Sequence, residues 1–200
     1  MNNSRLQGWN AQKTAFTYAK DRTFEPGLRS GALYADLGLA EATGGQFHGE
    51  ITKINPEFHA EKITAQNTTG TQPHDTTGMH RHEYDLQFNY MLAGDIDFVI
   101  EGINDAPGDE KMVFGPEDTY LIESRVLHNE TRVSDDFSVL QVYGPAKSET
   151  ETVGQAVGGG VVAEDWAEKL SKMTRQTLQG WNEQMSTFTY AKDRTFEPGL

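Results

Sequence analysis

A train of short strand-like runs, each closed by turn residues, fills most of the chain between residues 46 and 143. HGEITKI and FHAEKITA are divided by Asn55-Pro56, and later runs cover Gln87 to Leu92, Ile96 to Glu101, Lys111 to Phe114, Thr119 to Ile122, Leu127 to Val133 and Ser138 to Tyr143. Ala93-Gly94-Asp95, Asp105-Ala106-Pro107-Gly108-Asp109 and Ser134-Asp135-Asp136 supply turns between them. Short strands at such close spacing argue for an antiparallel sandwich or barrel.

Into this pattern the loop NTTGTQPHDTTG, dense in Thr, Gly and Pro, delivers the stretch GMHRHEYDLQFNYMLAG. A strand sends alternate side chains to one face, so His80 and His82 project together and offer two imidazole nitrogens to one metal ion. His128, in ESRVLHNETRV, lies 46 residues beyond His82, far enough to sit on a different strand. Gln87 has the opposite parity to the two histidines, so it points inward with them only if a turn or bulge intervenes around Tyr84-Asp85. As a ligand it offers a neutral amide oxygen. Three imidazoles with no anion leave the full dipositive charge on the ion, which favours an anionic ligand and lowers the pKa of bound water. The alternative role for Gln87 is a hydrogen bond to a ligand histidine.

Gly78 to Gly94 resembles the first motif of the cupin family, with its glycine, His-x-His and closing glycine in spacing, and with Gln87 where most metal cupins carry glutamate. In the second motif Gly115 precedes Pro116-Glu117-Asp118, Glu123-Ser124-Arg125 replaces the usual Pro-x-Gly, and His128 stands in place. The resemblance covers about residues 44 to 145. YADLGLAEATGG and the preceding FTYAKDRTFEPGL are similar to the lead-in of a group of small bacterial cupins. What the family implies is an all-β fold, a small antiparallel jelly-roll barrel, with a divalent metal held by His80, His82, His128 and Gln87. Fe(II) is the favoured ion, and Mn, Ni or Zn suit the same donors. Activities in the family run from dioxygenases to isomerases, lyases and non-catalytic binders, and fold alone does not choose between them. Small cupins also use arms to dimerise, so a homodimer is expected.

The ends carry a repeat. Leu6 to Leu28 reads LQGWNAQKTAFTYAKDRTFEPGL and Leu178 to Leu200 reads LQGWNEQMSTFTYAKDRTFEPGL, two 23-residue copies set 172 residues apart. That spacing is too long for a solenoid, whose periods run to about 20–50 residues. The expected reading is a remnant, the opening of a second unit left by a truncated tandem duplication, docked loosely. The alternative is an arm that packs on the same kind of groove in its own barrel or a neighbour's. Between barrel and repeat, Gly154 to Gly160 is a small-residue linker, and Trp166, Leu170, Met173 and Trp181 recur at helical spacing within Ala163 to Met185. The chain therefore divides into an N-terminal arm (1–43), a barrel (44–145), and a linker with a helical tail and partial repeat (146–200).

A net charge of -13 repels phosphate backbones and anionic lipid, which argues against nucleic acid and membrane surfaces as partners. With no cysteine, thiolate ligands and disulfides are excluded. MNNSRLQGWN is polar where a signal peptide needs an apolar run, so the cytoplasm is the expected location. The expected partner is a small molecule. His48, His59 and His74 read as surface or packing histidines, with His74-Asp75 placed to border a cavity mouth. Tyr90, Glu123 and Arg125 are candidates to line the cavity; Arg125 stands where a turn glycine is usual, which also suits a solvent-exposed loop residue. Glu83 and Asp85 fall in the turn, so no residue declares itself a general base. Two function classes follow: a mononuclear metal dioxygenase acting on a small organic acid or an enolisable or aromatic substrate, and a non-catalytic binder of a sugar acid or aromatic acid, with or without metal.

Overall fold

Alternating burial along each run, apolar side chains one way and polar the other, makes these residues strands that stack in two layers. The computed structural model describes residues 12–27, 29, 31–57, 80–101, 109–147, 150–152 and 187–195. In chain order the strands are β1 (Glu25–Pro26), β2 (Ala32–Asp36), β3 (His48–Ile54), β4 (His80–His82), β5 (Leu86–Ala93), β6 (Ile96–Glu101), β7 (Asp109–Phe114), β8 (Thr119–Leu121), β9 (His128–Val133), β10 (Ser138–Gly144), β11 (Thr150–Thr152) and β12 (Thr187–Thr189). A single-turn helix, α1 (Leu39–Ala42), joins β2 to β3.

Two antiparallel sheets result. One has seven strands in the order β1-β2-β3-β10-β5-β8-β12, the other five in the order β11-β4-β9-β6-β7. This mostly-β arrangement is consistent with the expected jelly roll. The strands expected from Ile96 to Glu101 and from Ser138 onward begin where turn residues placed them. FHAEKITA and the expected helix within Ala163 to Met185 lie outside the described residues. Among the described residues no helix is long and apolar enough to cross a membrane.

The core lies between the sheets and is built from Met91, Ile96, Phe98, Ile100, Phe114, Tyr120, Ile122, Phe137 and Val139. Phe98 leans on Tyr120 with ring centroids 4.9 Å apart, and Phe114 on Tyr120 at 4.9 Å. The corner where β5 leaves one sheet and β6 enters the other needs Gly94. Its φ of 68° is the left-handed region, and a Cβ there would sit 2.7 Å from the backbone nitrogen of Phe137. The same corner is tied to the β9–β10 turn: Asp95 N donates to Ser134 Oγ at 2.8 Å and Ser134 N to Asp95 O at 2.9 Å.

The two copies of the repeat meet different fates. Residues 187–189 pair with β8, Phe188 opposite Tyr120, and Phe188 and Tyr190 pack against the core cluster. Phe114 stacks on both rings, at 5.6 Å and 5.4 Å. This docked segment differs from the loose attachment expected of a remnant. In the first copy the corresponding Phe16 and Tyr18 are 78% and 61% exposed.

Candidate metal centre

Strand pairing builds the site. β4 runs antiparallel to β9 with His80 directly opposite His128, and a cross-strand pair presents both side chains on one face. His82, two residues along β4, shares that face. The ring centroids stand 4.3 Å apart for His80 and His128, 5.0 Å for His80 and His82 and 5.1 Å for His82 and His128. Their candidate ligand nitrogens all lie within 4.8 Å of one another. Imidazole nitrogens sharing one ion at about 2.1 Å stand roughly 3–4 Å apart, so small ring adjustments suffice. His80 and His128 are buried and His82 is half-buried, which leaves His82 on the accessible side.

His128 supplies the test of whether a metal fits. Its Nδ1 donates to the Val126 carbonyl at 2.9 Å, which leaves the lone pair on Nε2. That Nε2 is buried and has no hydrogen-bond partner. A buried acceptor in that state costs about 1–3 kcal/mol, and the carbonyl-oriented imidazole beside two others is the donor set a divalent ion takes. The residues therefore fit a metal. Electrostatics agree: burial pushes the His128 imidazolium down to about 4, with His80 and Arg29 acting the same way and Glu130 and the Val126 carbonyl opposing. Burial likewise holds His82 well below the usual histidine range, helped by His80, His128 and Arg29. Both rings are neutral at pH 7, the form that binds metal.

Gln87 sits on the other sheet, on β5 opposite Tyr143 of β10. It is buried in the inward row with Asn89 and Met91. The parity change from His82 to Gln87 falls in the break at residues 83–85, where the chain crosses between sheets and Asp85 N bonds Gly144 O at 2.7 Å. A polar row lies beside it: Thr52 Oγ1 donates to Gln141 Oε1 (2.8 Å), Gln141 Nε2 to Asn89 Oδ1 (2.9 Å) and Asn89 Nδ2 to Tyr120 O (3.3 Å).

The remaining candidates separate. Tyr90 does not line the site: its even parity turns it to the opposite face of β5 from Gln87, where the Arg194 guanidinium stands 5.7 Å from its ring. Arg125 is a loop residue with φ 71°, as its glycine-like position implies, and its exposed guanidinium pairs with buried Glu83 at 2.9 Å. Its N–H donates to His82 O at 3.0 Å, so the second-motif turn pins the end of β4. Glu123 is half-buried beside that turn. His48 pairs with Glu50 at 3.0 Å and packs on Tyr143 at 4.9 Å, as a packing histidine does. His59 and His74 lie outside the described residues.

Sequence reasoning missed two charged neighbours. Glu130 Oε2 lies 3.6 Å from His80 Nε2; its signal was its place two residues after His128, on the same face of β9. Arg29, buried and close enough to depress both His82 and His128, comes from the segment before β2. No local pattern marks it.

No protein-family model matches the sequence, and no curated protein does. Among solved structures the chain is similar to oxalate decarboxylase from Bacillus subtilis (14% identity, 90% of this chain and 44% of that chain, TM-score 0.47) and to the formate complex of the Lactobacillus farciminis oxalate decarboxylase (12%, 81% and 40%, TM-score 0.46). It is also similar to KdgF from Halomonas sp. (14%, 66% and 96%, TM-score 0.45). The chain spans less than half the length of the decarboxylase chains. His-x-His on β4, its partner histidine directly across on β9 and the two antiparallel sheets around them match the arrangement that the resemblance to cupins implies.

Proposed function

We propose that this chain is a cupin and a mononuclear metal enzyme, of the dioxygenase kind, acting on a small organic acid. The observation that carries the reading is the buried, unpartnered Nε2 of His128, aimed among two further imidazoles. A divalent ion held by His80, His82 and His128 would supply Lewis acidity and, as Fe(II), redox chemistry toward O2. The protein's own part is to orient and select. Arg29 places a buried guanidinium near the neutral His82 and His128 rings, a charge of the sign that complements a carboxylate or enolate. The polar row from Thr52 to Asn89 gives the opposite wall hydrogen-bonding capacity. Glu83 is held by Arg125, which leaves Glu130 as the carboxylate nearest His80.

Oxygen uptake by the Fe(II)-loaded chain with a panel of catechols, diketones and flavonols tests the activity. Uptake with one class supports the enzyme; binding of an organic acid with no uptake across the panel would make the chain a non-catalytic binder. Gln87 enters the same reading as the donor facing the centre from β5. Gln87→Glu then restores an anionic ligand and raises metal affinity by roughly 10-fold or more in a chelator competition. Unchanged or weaker retention would mean that Gln87 does not face the ion.

A further inference from the structure

Glu130 stands on β9 where the register calls for an apolar side chain. The β6–β9 pairing sets it opposite Phe98, as it sets His128 opposite Ile100, and both β6 partners are core residues, 1% and 0% exposed. Cross-strand pairs share a face, so Glu130 turns inward with them. Its charge is felt there. Burial leads in raising the hydroxyls of Tyr34 and Tyr120, Glu50 follows at Tyr34, and Glu130 adds to both; it also opposes the burial that lowers His128. A carboxylate facing a core is costly unless a positive charge meets it.

The same position brings it to the three imidazoles. His80 lies directly opposite His128, so Glu130, two residues along β9, is the diagonal neighbour of His80, within reach of a long side chain. Its Oε2 stands 3.6 Å from His80 Nε2, with the two side chains 21% and 3% exposed. That distance separates two roles. An N–H···O bond spans about 2.7–3.2 Å, and this contact is longer; two donors on one ion at about 2.1 Å each stand roughly 3–4 Å apart, and this contact falls inside that range.

Three other buried or half-buried carboxylates are committed elsewhere. Glu83 is held by Arg125 at 2.9 Å, Glu50 by His48 at 3.0 Å, and Asp118 accepts the backbone N–H groups of Gly115 and Ala191. On the facing wall the polar residues that turn inward from β5 are Gln87 and Asn89, 7% and 0% exposed, both neutral amides. The position where most metal cupins carry glutamate therefore holds no charge, while the strand that carries His128 holds one.

We propose that Glu130 is the anionic ligand of the centre, supplied from β9 in place of a carboxylate at position 87. The inference rests on the three-histidine centre proposed above. All four donors then come from the β4–β9 pair of the five-stranded sheet, and the net charge of the loaded centre falls by one unit. The β5 wall carries no anion. An organic acid approaching from that side meets the Gln87 amide and no like charge.

Co(II), whose visible bands report the donors around it, tests this in the full-length chain alongside a chelator competition. The unaltered chain binds one Co(II). Glu130→Gln, which keeps the shape and removes the charge, weakens binding by roughly 100-fold and shifts the bands in position and intensity. Glu130→Asp keeps the charge on a shorter stem and retains more of the affinity than Glu130→Gln. Bands or affinity left unchanged by Glu130→Gln would overturn the proposal, because a residue that orients His80 leaves the donor set as it was. An Asp variant weaker than the Gln variant would overturn it too, since shape rather than charge would then matter at residue 130. Where circular dichroism shows Glu130→Gln unfolded, the Glu130→Asp bands decide alone: shifted bands support the proposal and unchanged bands overturn it. Failure of the unaltered chain to bind Co(II) would instead overturn the three-histidine centre itself.

Discussion

Replacing both His80 and His82 with alanine removes metal binding and leaves the two sheets folded. Tight sites with four protein ligands bind zinc with roughly 10–16 kcal/mol, or about 3 kcal/mol per ligand, so losing two of three imidazoles weakens affinity on the order of 10⁴-fold or more. The fold survives because its apolar core does not pass through these rings. Met91, Phe98, Ile100, Phe114, Tyr120 and Val139 pack among themselves between the sheets, and His128 still forms its bond to Val126. Elemental analysis after dialysis, with circular dichroism on the same sample, reads both halves of the expectation. A double variant that unfolds would make the ion structural instead.

Acid should destabilise the metal-free protein through the same rings. His128 titrates near 6.5 in the unfolded chain and at about 4 when folded, because burial disfavours the imidazolium. The unfolded state therefore takes up its proton first, and the stability contributed by the neutral buried ring is present above about pH 6.5 and lost as pH falls toward 4. The full loss is about 3 kcal/mol, of which about 2 kcal/mol is gone by pH 5. His82 is shifted in the same direction for the same leading reason and adds to the slope. Glu130 and the Val126 carbonyl favour the charged His128 ring and oppose part of this shift. Urea unfolding of the metal-free chain at pH 7.5, 6 and 5 measures the slope. His128→Asn should flatten it; equal slopes in the two proteins would place the acid sensitivity elsewhere.

Much of the fold and of the metal centre is legible in the amino-acid order because it rests on local rules. Period-2 alternation and turn chemistry give the strands, and the shared parity of His80 and His82 gives their common face. The parity mismatch of Gln87 requires a break near Tyr84-Asp85, and the chain changes sheet there. Arg125 occupies a left-handed turn position because the motif asks for glycine at that point. What stays hidden depends on packing at long range. Arg29, just before β2, is buried, and nothing in its sequence neighbours announces this. Tyr90 carries no sign of its outward face until the parity of β5 is fixed by Asn89 and Met91. The repeat is obvious as sequence, but which copy docks depends on the β8 edge, a property of sheet order.

His80, His82 and His128 are expected to hold one metal ion together. Elemental analysis of the chain purified without a histidine tag, after loading with Fe(II) or Mn(II) and exhaustive dialysis, addresses it most directly. Close to one divalent ion per chain is expected, with His128→Ala reducing the content to background. No retained ion in the unaltered chain, or full retention in the His128→Ala variant, would contradict it.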